Sequence, residues 1–414
     1  MKYAHLIYAF ALLLIGEGSI YSAQAADLGG GCCADLEERV AELEATTARK
    51  GNRSVSLTIN GQVNRALLAW NDGIDSDSYV VDPSHYSSRV AFRGEGKTGA
   101  GWKSGFFVEA EFRDSSSGTV FQGDDEGVGG TAGEIRIRQS NVYIDSEKFG
   151  RVTLGQQNSA AKDINTISLS NNMDNANIDN PPSFRVRTSD GGNTGLTWGQ
   201  IANGLDGNRG DFVRYDSPSI YGFILSAAWG ENDYWDAALR FKGEWNSFRL
   251  AAGIGYTWAD DNAAGGKIPE LEQIAGSASL MHVPSGLFLT VAAGELNSDA
   301  LTKDAFFYYA DAGIMRKFNS YGATTIYAAH GHYEDFGAGL TGSSNIAGVP
   351  LEAFTVASSE VNRYGGGIVQ TFDAAALDLY AQIHYYEADI TAVGGSQVDT
   401  ESWYAVLTGA RIKF

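Results

Sequence analysis

Alternation of apolar and polar residues is the feature that most constrains this chain. In Trp235–Trp245, the residues Trp, Ala, Leu, Phe, Gly and Trp alternate with Asp, Ala, Arg, Lys and Glu. Ser54–Asn64 and Leu377–Tyr386 follow the same pattern. Because successive side chains of a strand point to opposite faces, each such segment predicts a β-strand with one apolar and one polar face.

The sequence contains sixteen segments of this kind. Segments 304–317 and 322–333 alternate poorly and are included for their spacing. The sixteen lie near residues 54–70, 86–97, 101–113, 134–145, 151–157, 210–217, 221–230, 234–245, 248–259, 271–282, 287–297, 304–317, 322–333, 360–372, 377–389 and 402–414.

The connections between these segments are mostly short and long in turn. The short ones include 97–101, 146–150, 246–247, 283–286 and 319–322, and the long ones lie near 71–85, 114–133, 158–209, 259–270, 334–359 and 390–401. Connections near 231–233 and 298–303 depart from this alternation because they are not long. An even number of strands, with short turns at one end and long loops at the other, is typical of an outer-membrane barrel. We therefore predict an all-β fold, a 16-stranded antiparallel transmembrane β-barrel over residues 52–414.

The final segment predicts how the barrel closes. Alternate residues from Tyr404 to Phe414 form an almost wholly apolar face, and Arg411 and Lys413 lie on the other face. We expect the apolar face to contact lipid and the two bases to point into the lumen. Pairing of this strand with the first would leave no open sheet edge, which lipid could not satisfy.

The N-terminal region differs from the rest. Lys2, the apolar run Leu6–Ile15 and the small residues Ala23–Ala25 predict a secretory signal peptide over residues 1–25. Within segment 26–51, the residues Leu36, Val40 and Leu43 have coiled-coil spacing, which predicts a short periplasmic helix that associates between chains. A helix lying on its own domain is the alternative.

The formal net charge of −20 argues against a nucleic-acid partner.

Three segments resemble the trimeric general-diffusion porins of alphaproteobacterial type. They are the coiled-coil lead from Cys32 into the first strand, the hairpin Arg136–Gln157, and the strand ending at Phe414, which looks like the outer-membrane assembly signal. The resemblance implies a homotrimer in the bacterial outer membrane that passes small hydrophilic solutes by diffusion. Gln156 and Gln157 stand where related sequences often have an arginine.

The resemblance also implies a constriction, in which the third long loop folds into the barrel and its acids face arginines on the wall. The corresponding loop is about 158–209, with Asp163, Asp174 and Asp179 as candidate acids. Alternation directs Arg89, Arg93, Arg136 and Arg138 toward the lumen. Opposed charges across a narrow passage orient polar solutes and bias ion choice.

The sequence indicates no enzyme activity, no cofactor and no metal site. His330 and His332 share a strand face, but a third ligand is not evident. Two alternatives stay open: a structural tether that contacts the cell wall through the coiled coil, and an outer-membrane enzyme built on a barrel. The second would need a nucleophile and a base that cannot be assigned.

Overall fold

The computed structural model describes residues 55–127, 134–179, 181–231, 233–261, 268–346 and 349–414. The predicted signal peptide, the coiled-coil segment and its residues Leu36, Val40 and Leu43 lie outside the described residues. No helix in the described part of the chain has the length and apolar character needed to cross a membrane.

Sixteen antiparallel strands form a closed barrel, as predicted. They are β1 (Ser56–Asn71), β2 (Arg89–Gly99), β3 (Trp102–Arg113), β4 (Glu134–Ser146), β5 (Gly150–Asn158), β6 (Arg209–Asp216), β7 (Phe223–Gly230), β8 (Trp235–Trp245), β9 (Phe248–Asp261), β10 (Ile268–His282), β11 (Leu287–Ser298), β12 (Ala305–Arg316), β13 (Thr324–Glu334), β14 (Val349–Phe372), β15 (Leu377–Ala392) and β16 (Trp403–Lys413). Each strand pairs with the next along the chain.

The last strand closes the barrel against the first, and this prediction is confirmed. The β1–β16 ladder runs from Gln62 opposite Lys413 to Asn71 opposite Tyr404. Beyond it, the Gly61 N–H donates to the Phe414 carbonyl at 2.8 Å, and the Phe414 N–H donates to the Gly61 carbonyl at 3.0 Å. The Phe414 ring lies over Gly61, where a Cβ atom would come within 2.7 Å of the ring.

The two faces of β16 separate as the alternation predicts. Tyr404, Val406, Ile412 and Phe414 are exposed on the outer surface. On the inner side, Arg411 and Lys413 both contact the Asp378 carboxylate, at 2.8 and 2.9 Å. The outer wall elsewhere is similarly apolar, with Leu225 and Trp229 exposed on β7.

Two predicted loops contain strands that continue the ladders beyond the expected ends. Segment Ser76–Val81 returns alongside the upper part of β1, and Thr341–Ile346 pairs with the start of β14. β14 therefore begins at Val349 instead of near residue 360. These stretches satisfy their backbone hydrogen bonds by pairing, although their polar composition resembles that of loops.

The long segment between β5 and β6 contains a small structure of its own. It has short strands at Arg185–Arg187 and Asn193–Thr197, and the four-residue helix α1 at Trp198–Ile201. Asn193 also pairs with Asn345 of the hairpin before β14. The remaining elements are a two-residue strand, Gln397–Val398, and a 3₁₀ turn, Asp373–Ala375.

Candidate functional site: an inner loop facing a charged wall

The segment between β5 and β6, which we call the inner loop (residues 159–208), enters the barrel and follows its inner surface. The Asp236 carboxylate on β8 accepts the N–H groups of Ala160 and Ala161 at 2.9 and 2.8 Å. Small wall residues leave room for the loop: a Cβ atom on Gly253 of β9 would lie 2.6 Å from the Ile164 side chain. The wall is therefore shaped to receive this loop.

Two serines on β10 bind the next stretch of the inner loop. The Ser277 and Ser279 hydroxyls accept the N–H groups of Ile167 and Leu169, at 3.1 and 3.0 Å. The Ser277 hydroxyl also donates to the Ile164 carbonyl at 2.6 Å. Side chains of the wall thus supply the backbone partners that a strand neighbour would otherwise provide.

A buried ion pair fixes the middle of the inner loop to β14. Arg363 binds the Asp174 carboxylate, and both side chains are almost wholly buried. The same guanidinium donates to the carbonyls of Asn175 and Asn177 at 2.7 and 3.0 Å. Breaking a buried pair by removing one partner is strongly destabilising, because the other charge stays buried.

Aromatic packing holds the later part of the inner loop against β1, β15 and β16. The Phe184 ring lies 5.1 Å from Trp70 and 5.3 Å from Trp403, and Trp198 lies 5.7 Å from Tyr386. All five rings are buried. This part of the inner wall is consequently an apolar core, not a water-facing surface.

A charged contact joins the inner loop to the long-loop end of the barrel. The Arg187 Nε donates to the buried Asp72 carboxylate at 2.7 Å, and the Gln122 amide donates to the same oxygen at 3.0 Å. Burial alone would raise the pKa of Asp72, but the Arg187 bond and the other hydrogen bonds outweigh it and lower that pKa.

The strands β2 to β6 carry the charged part of the wall. Arg138 on β4 donates to Glu109 at 2.8 Å and lies 3.1 Å from Glu111, both on β3. Arg89 on β2 lies 3.8 Å from Glu109. Asp163 of the inner loop interacts electrostatically with Arg89 and also with Arg209. Arg209 is the first residue of β6.

The structure brings some of the predicted constriction residues together and separates others. Arg89, Arg138 and Asp163 belong to the charged group just described. Arg93 lies farther toward the short turns, with its guanidinium 5.2 Å from the centre of the Phe107 ring. Arg136 lies toward the long loops and pairs in register with Glu111.

Asp174 and Asp179 do not face the arginines named from the sequence. Asp174 binds Arg363, and the Asp179 carboxylate accepts from Asn175 at 2.9 Å and lies 3.5 Å from the His85 ring. Burial lowers the pKa of His85, so its imidazole is neutral near pH 7. The positions of Asp174 and Asp179 depend on the course of the inner loop, which alternation does not describe.

Sequence reasoning missed Arg209, Glu109, Glu111 and Arg363. Glu109 and Glu111 alternate within β3, so the pattern that selected the arginines could also have selected them. Arg209 immediately follows the inner loop, outside the predicted strand 210–217, and therefore received no face.

A family model described as Gram-negative porin matches residues 22–391. The chain belongs to the Gram-negative porin family. The porin is therefore an outer-membrane diffusion channel, as the sequence predicted. A comparison with curated protein sequences gives no significant match.

Several solved barrels share the fold of the porin at low sequence identity. The anion-selective porin from Comamonas acidovorans is 17% identical, with a TM-score of 0.56, over 87% of this chain and 100% of that one. OmpT of Vibrio cholerae is 14% identical, with a TM-score of 0.54, over 89% and 100%. Salmonella typhi OmpF, solved with daunomycin, is 11% identical, with a TM-score of 0.51, over 88% and 99%.

Proposed function

We propose that the porin passes small hydrophilic solutes and ions by passive diffusion, without catalysis, along the wall formed by β2 to β6. The observation that carries this proposal is the asymmetry of the lumen. The inner loop packs on the wall from β8 through β16, whereas charged side chains line β2 to β6. Water and polar solutes need the charged side, because an apolar core excludes them.

The test is ion conductance of the purified, folded protein in a planar lipid bilayer. We expect stable open channels whose conductance rises with bulk salt concentration, because the passage is filled with water. A folded, heat-modifiable protein that leaves the bilayer insulating would contradict the proposal. Swelling of proteoliposomes in sugars of increasing size would then give the size limit of the passage.

We further propose that Asp163 and the arginines Arg89 and Arg138 form the constriction, with Arg93 and Arg136 extending the basic wall on either side. Asp174 and Asp179 take a supporting role, since their partners are Arg363, Asn175 and His85. This assignment separates acids that face the passage from acids that hold the inner loop. Phe414 is proposed as the assembly signal because it ends the closing strand.

We also propose that the porin is a homotrimer held together in part by the predicted coiled coil. One barrel of the same fold, OmpT of Vibrio cholerae, has been solved in a trimer form. The coiled-coil lead also supports assignment to the alphaproteobacterial type.

Replacing Leu36 and Leu43 by Asp should lower the temperature at which trimers dissociate in detergent, while circular dichroism of the strands stays unchanged. Unaltered dissociation would remove the coiled coil from the subunit interface.

A further inference from the structure

A second segment of the chain, residues 82–88, lies on the inner surface of the barrel beside the inner loop. The Gln62 amide on β1 donates to the carbonyls of Tyr86 and Ser87 at 2.9 and 3.0 Å. The Arg411 guanidinium lies 4.2 Å from the centre of the Tyr86 ring. Because Arg411 is on the inner side of β16, this segment covers the lumen face of the seam between β1 and β16. We call it the inner turn.

The inner turn is closed at its ends by hydrogen bonds. The buried Asp82 carboxylate accepts the Ser88 N–H at 3.1 Å. The loop after β3 binds the same end, since the Asp82 N–H donates to the Ser115 carbonyl at 3.1 Å and the Ser117 N–H donates to the Asp82 carbonyl at 2.9 Å. A compact loop whose ends are joined keeps its shape through its own contacts. The inner turn can therefore serve as a fixed support for whatever packs on it.

The inner turn contacts the inner loop at two residues, Asn175 and Asp179. The Ser84 hydroxyl donates to the Asp179 carbonyl at 2.8 Å, and the Ser117 hydroxyl donates to the same carbonyl at 3.1 Å. The Asn175 amide donates to the His85 Nδ1 and to the Asp179 carboxylate, both at 2.9 Å. The inner turn and Ser117 thus bind both the backbone and the side chains of this part of the inner loop.

The stretch 174–179 of the inner loop is consequently held from two sides. Arg363 on β14 holds one side, and the inner turn, three strands farther along the wall on β1, holds Asp179. His85 also interacts electrostatically with Arg89 on β2 and with Asp163. The inner turn therefore lies where the covered side of the lumen meets the charged wall, so a shift of Asp179 would move the edge of the passage.

We propose that the inner turn positions stretch 174–179 of the inner loop and thereby sets the width of the passage beside β1. Ser84 and His85, together with Ser117, are positioning residues, because they contact the inner loop and act on the solute only through it. A stretch attached to one strand can rotate about that attachment, whereas attachments on two separate strands fix its direction. The inference rests on the proposed diffusion function and names residues that determine its size limit.

The experiment records single channels in a planar bilayer and measures the size limit for sugars in proteoliposomes. Ser84→Ala combined with Ser117→Ala removes both hydroxyl donors to the Asp179 carbonyl. Loss of two hydrogen bonds should raise the fraction of time for which Asp179 is detached roughly tenfold. We expect brief steps to a higher conductance, and entry of sugars that the unmodified porin excludes.

Substitutions of His85 separate positioning from a general effect on folding. His85→Ala removes the acceptor for the Asn175 amide and should produce the same steps. His85→Asn should suppress them, because its Oδ1 can accept the Asn175 amide in the place of Nδ1. Ser76→Ala combined with Ser78→Ala is the matched control, since it removes two exposed hydroxyls from the strand Ser76–Val81. We expect the recordings of this control to match those of the unmodified porin.

The outcomes distinguish the positioning role from the channel function. Recordings and size limits that are the same for Ser84→Ala/Ser117→Ala and for the control would overturn the positioning role while leaving the channel function intact. Steps equally frequent in His85→Ala and His85→Asn would also overturn it, and this comparison decides the matter if the double serine variant does not fold. Absence of any current in the folded, unmodified porin would instead overturn the diffusion function.

Discussion

The covered and the open sides of the barrel interior are built on the same alternating strands but differ in what they face. On the covered side, β8 through β16 and the upper part of β1 bind the inner loop through serines, glycines, aromatic rings and the buried Arg363. On the open side, β2 to β6 carry Arg89, Glu109, Arg138 and Arg209. An inward-facing position is therefore not necessarily a water-facing one.

This difference assigns distinct roles to charges that look alike in sequence. Arg363 and Asp174 neutralise each other in a buried site and determine where the inner loop lies. Arg209 and Asp163 interact electrostatically on the open side, where we propose that they act on passing ions. Substitutions on the covered side should change the shape and stability of the channel, and those on the open side should change selectivity.

The largest effect is expected at the seam between β16 and β1, on which both sides depend. Phe414→Asp places a charge at the outer surface and removes the ring from Gly61. Arg or Lys facing lipid costs about 2–4 kcal/mol at mid-bilayer, and Asp or near-interface positions cost less. Loss of the proposed assembly signal should add to this cost, so we expect little protein in the outer membrane. Membrane fractionation and heat-modifiability would measure the amount of folded porin in the outer membrane, with Phe414→Tyr as the control. Wild-type levels of Phe414→Asp would contradict the proposed role of Phe414 in assembly.

Removing the anchor of the covered side should have the next largest effect. Arg363→Ala leaves Asp174 buried without its partner, which costs about 3–5 kcal/mol. We expect lower stability toward denaturant and a larger, noisier conductance, because the inner loop loses its hold on β14. Arg249→Ala, which breaks an exposed pair, should cost at most about 1 kcal/mol. Equal stability of the two variants would show that the ion pair does not hold the loop.

The contact between Asp72 and Arg187 should depend on pH in a defined direction. The folded-state pKa of Asp72 is below its usual value of about 3.9. The contact with Arg187 therefore contributes its full stabilisation of the fold at pH values above about 3.9. The contribution is lost as the pH falls through the lower folded-state pKa. Asp72→Asn should therefore increase proteolysis near Ser189 roughly tenfold at neutral pH. Proteolysis of the unmodified porin should stay constant from neutral pH down to just above the usual Asp pKa of about 3.9. A rise within that range would contradict the stabilising contact between Asp72 and Arg187.

The smallest effect separates the two acids of the inner loop. Asp163→Asn should shift the anion-to-cation permeability ratio toward anions by roughly two- to fivefold, since it removes the charge beside Arg89 and Arg209. Asp174→Asn should change conductance more than selectivity. Asp77→Asn, in the external hairpin, is the control. The reversal potential under a salt gradient measures all three, and an equal shift for Asp77→Asn would assign selectivity to the external loops.

Periodicity predicted the walls well because it is a local property. Alternation identified fourteen of the sixteen strands, with the closing strand and the inward direction of Arg411, and the spacing of the segments identified the other two, β12 and β13. It failed at strand ends, where Arg209 and the start of β14 fell in predicted loops. The backbone there continues to pair with its neighbours, whereas side chains of mixed polarity no longer mark two faces.

The sequence by itself determined the barrel, since lipid outside requires one apolar face and closure requires a paired edge. It did not determine which inner surface is wet. That depends on contacts between residues far apart in the chain, such as Asp174 with Arg363 and Asn171 with Asp378. A loop and water both tolerate polar or small inward residues, so only the tertiary structure distinguishes a wall that binds the inner loop from a wall that faces the solute.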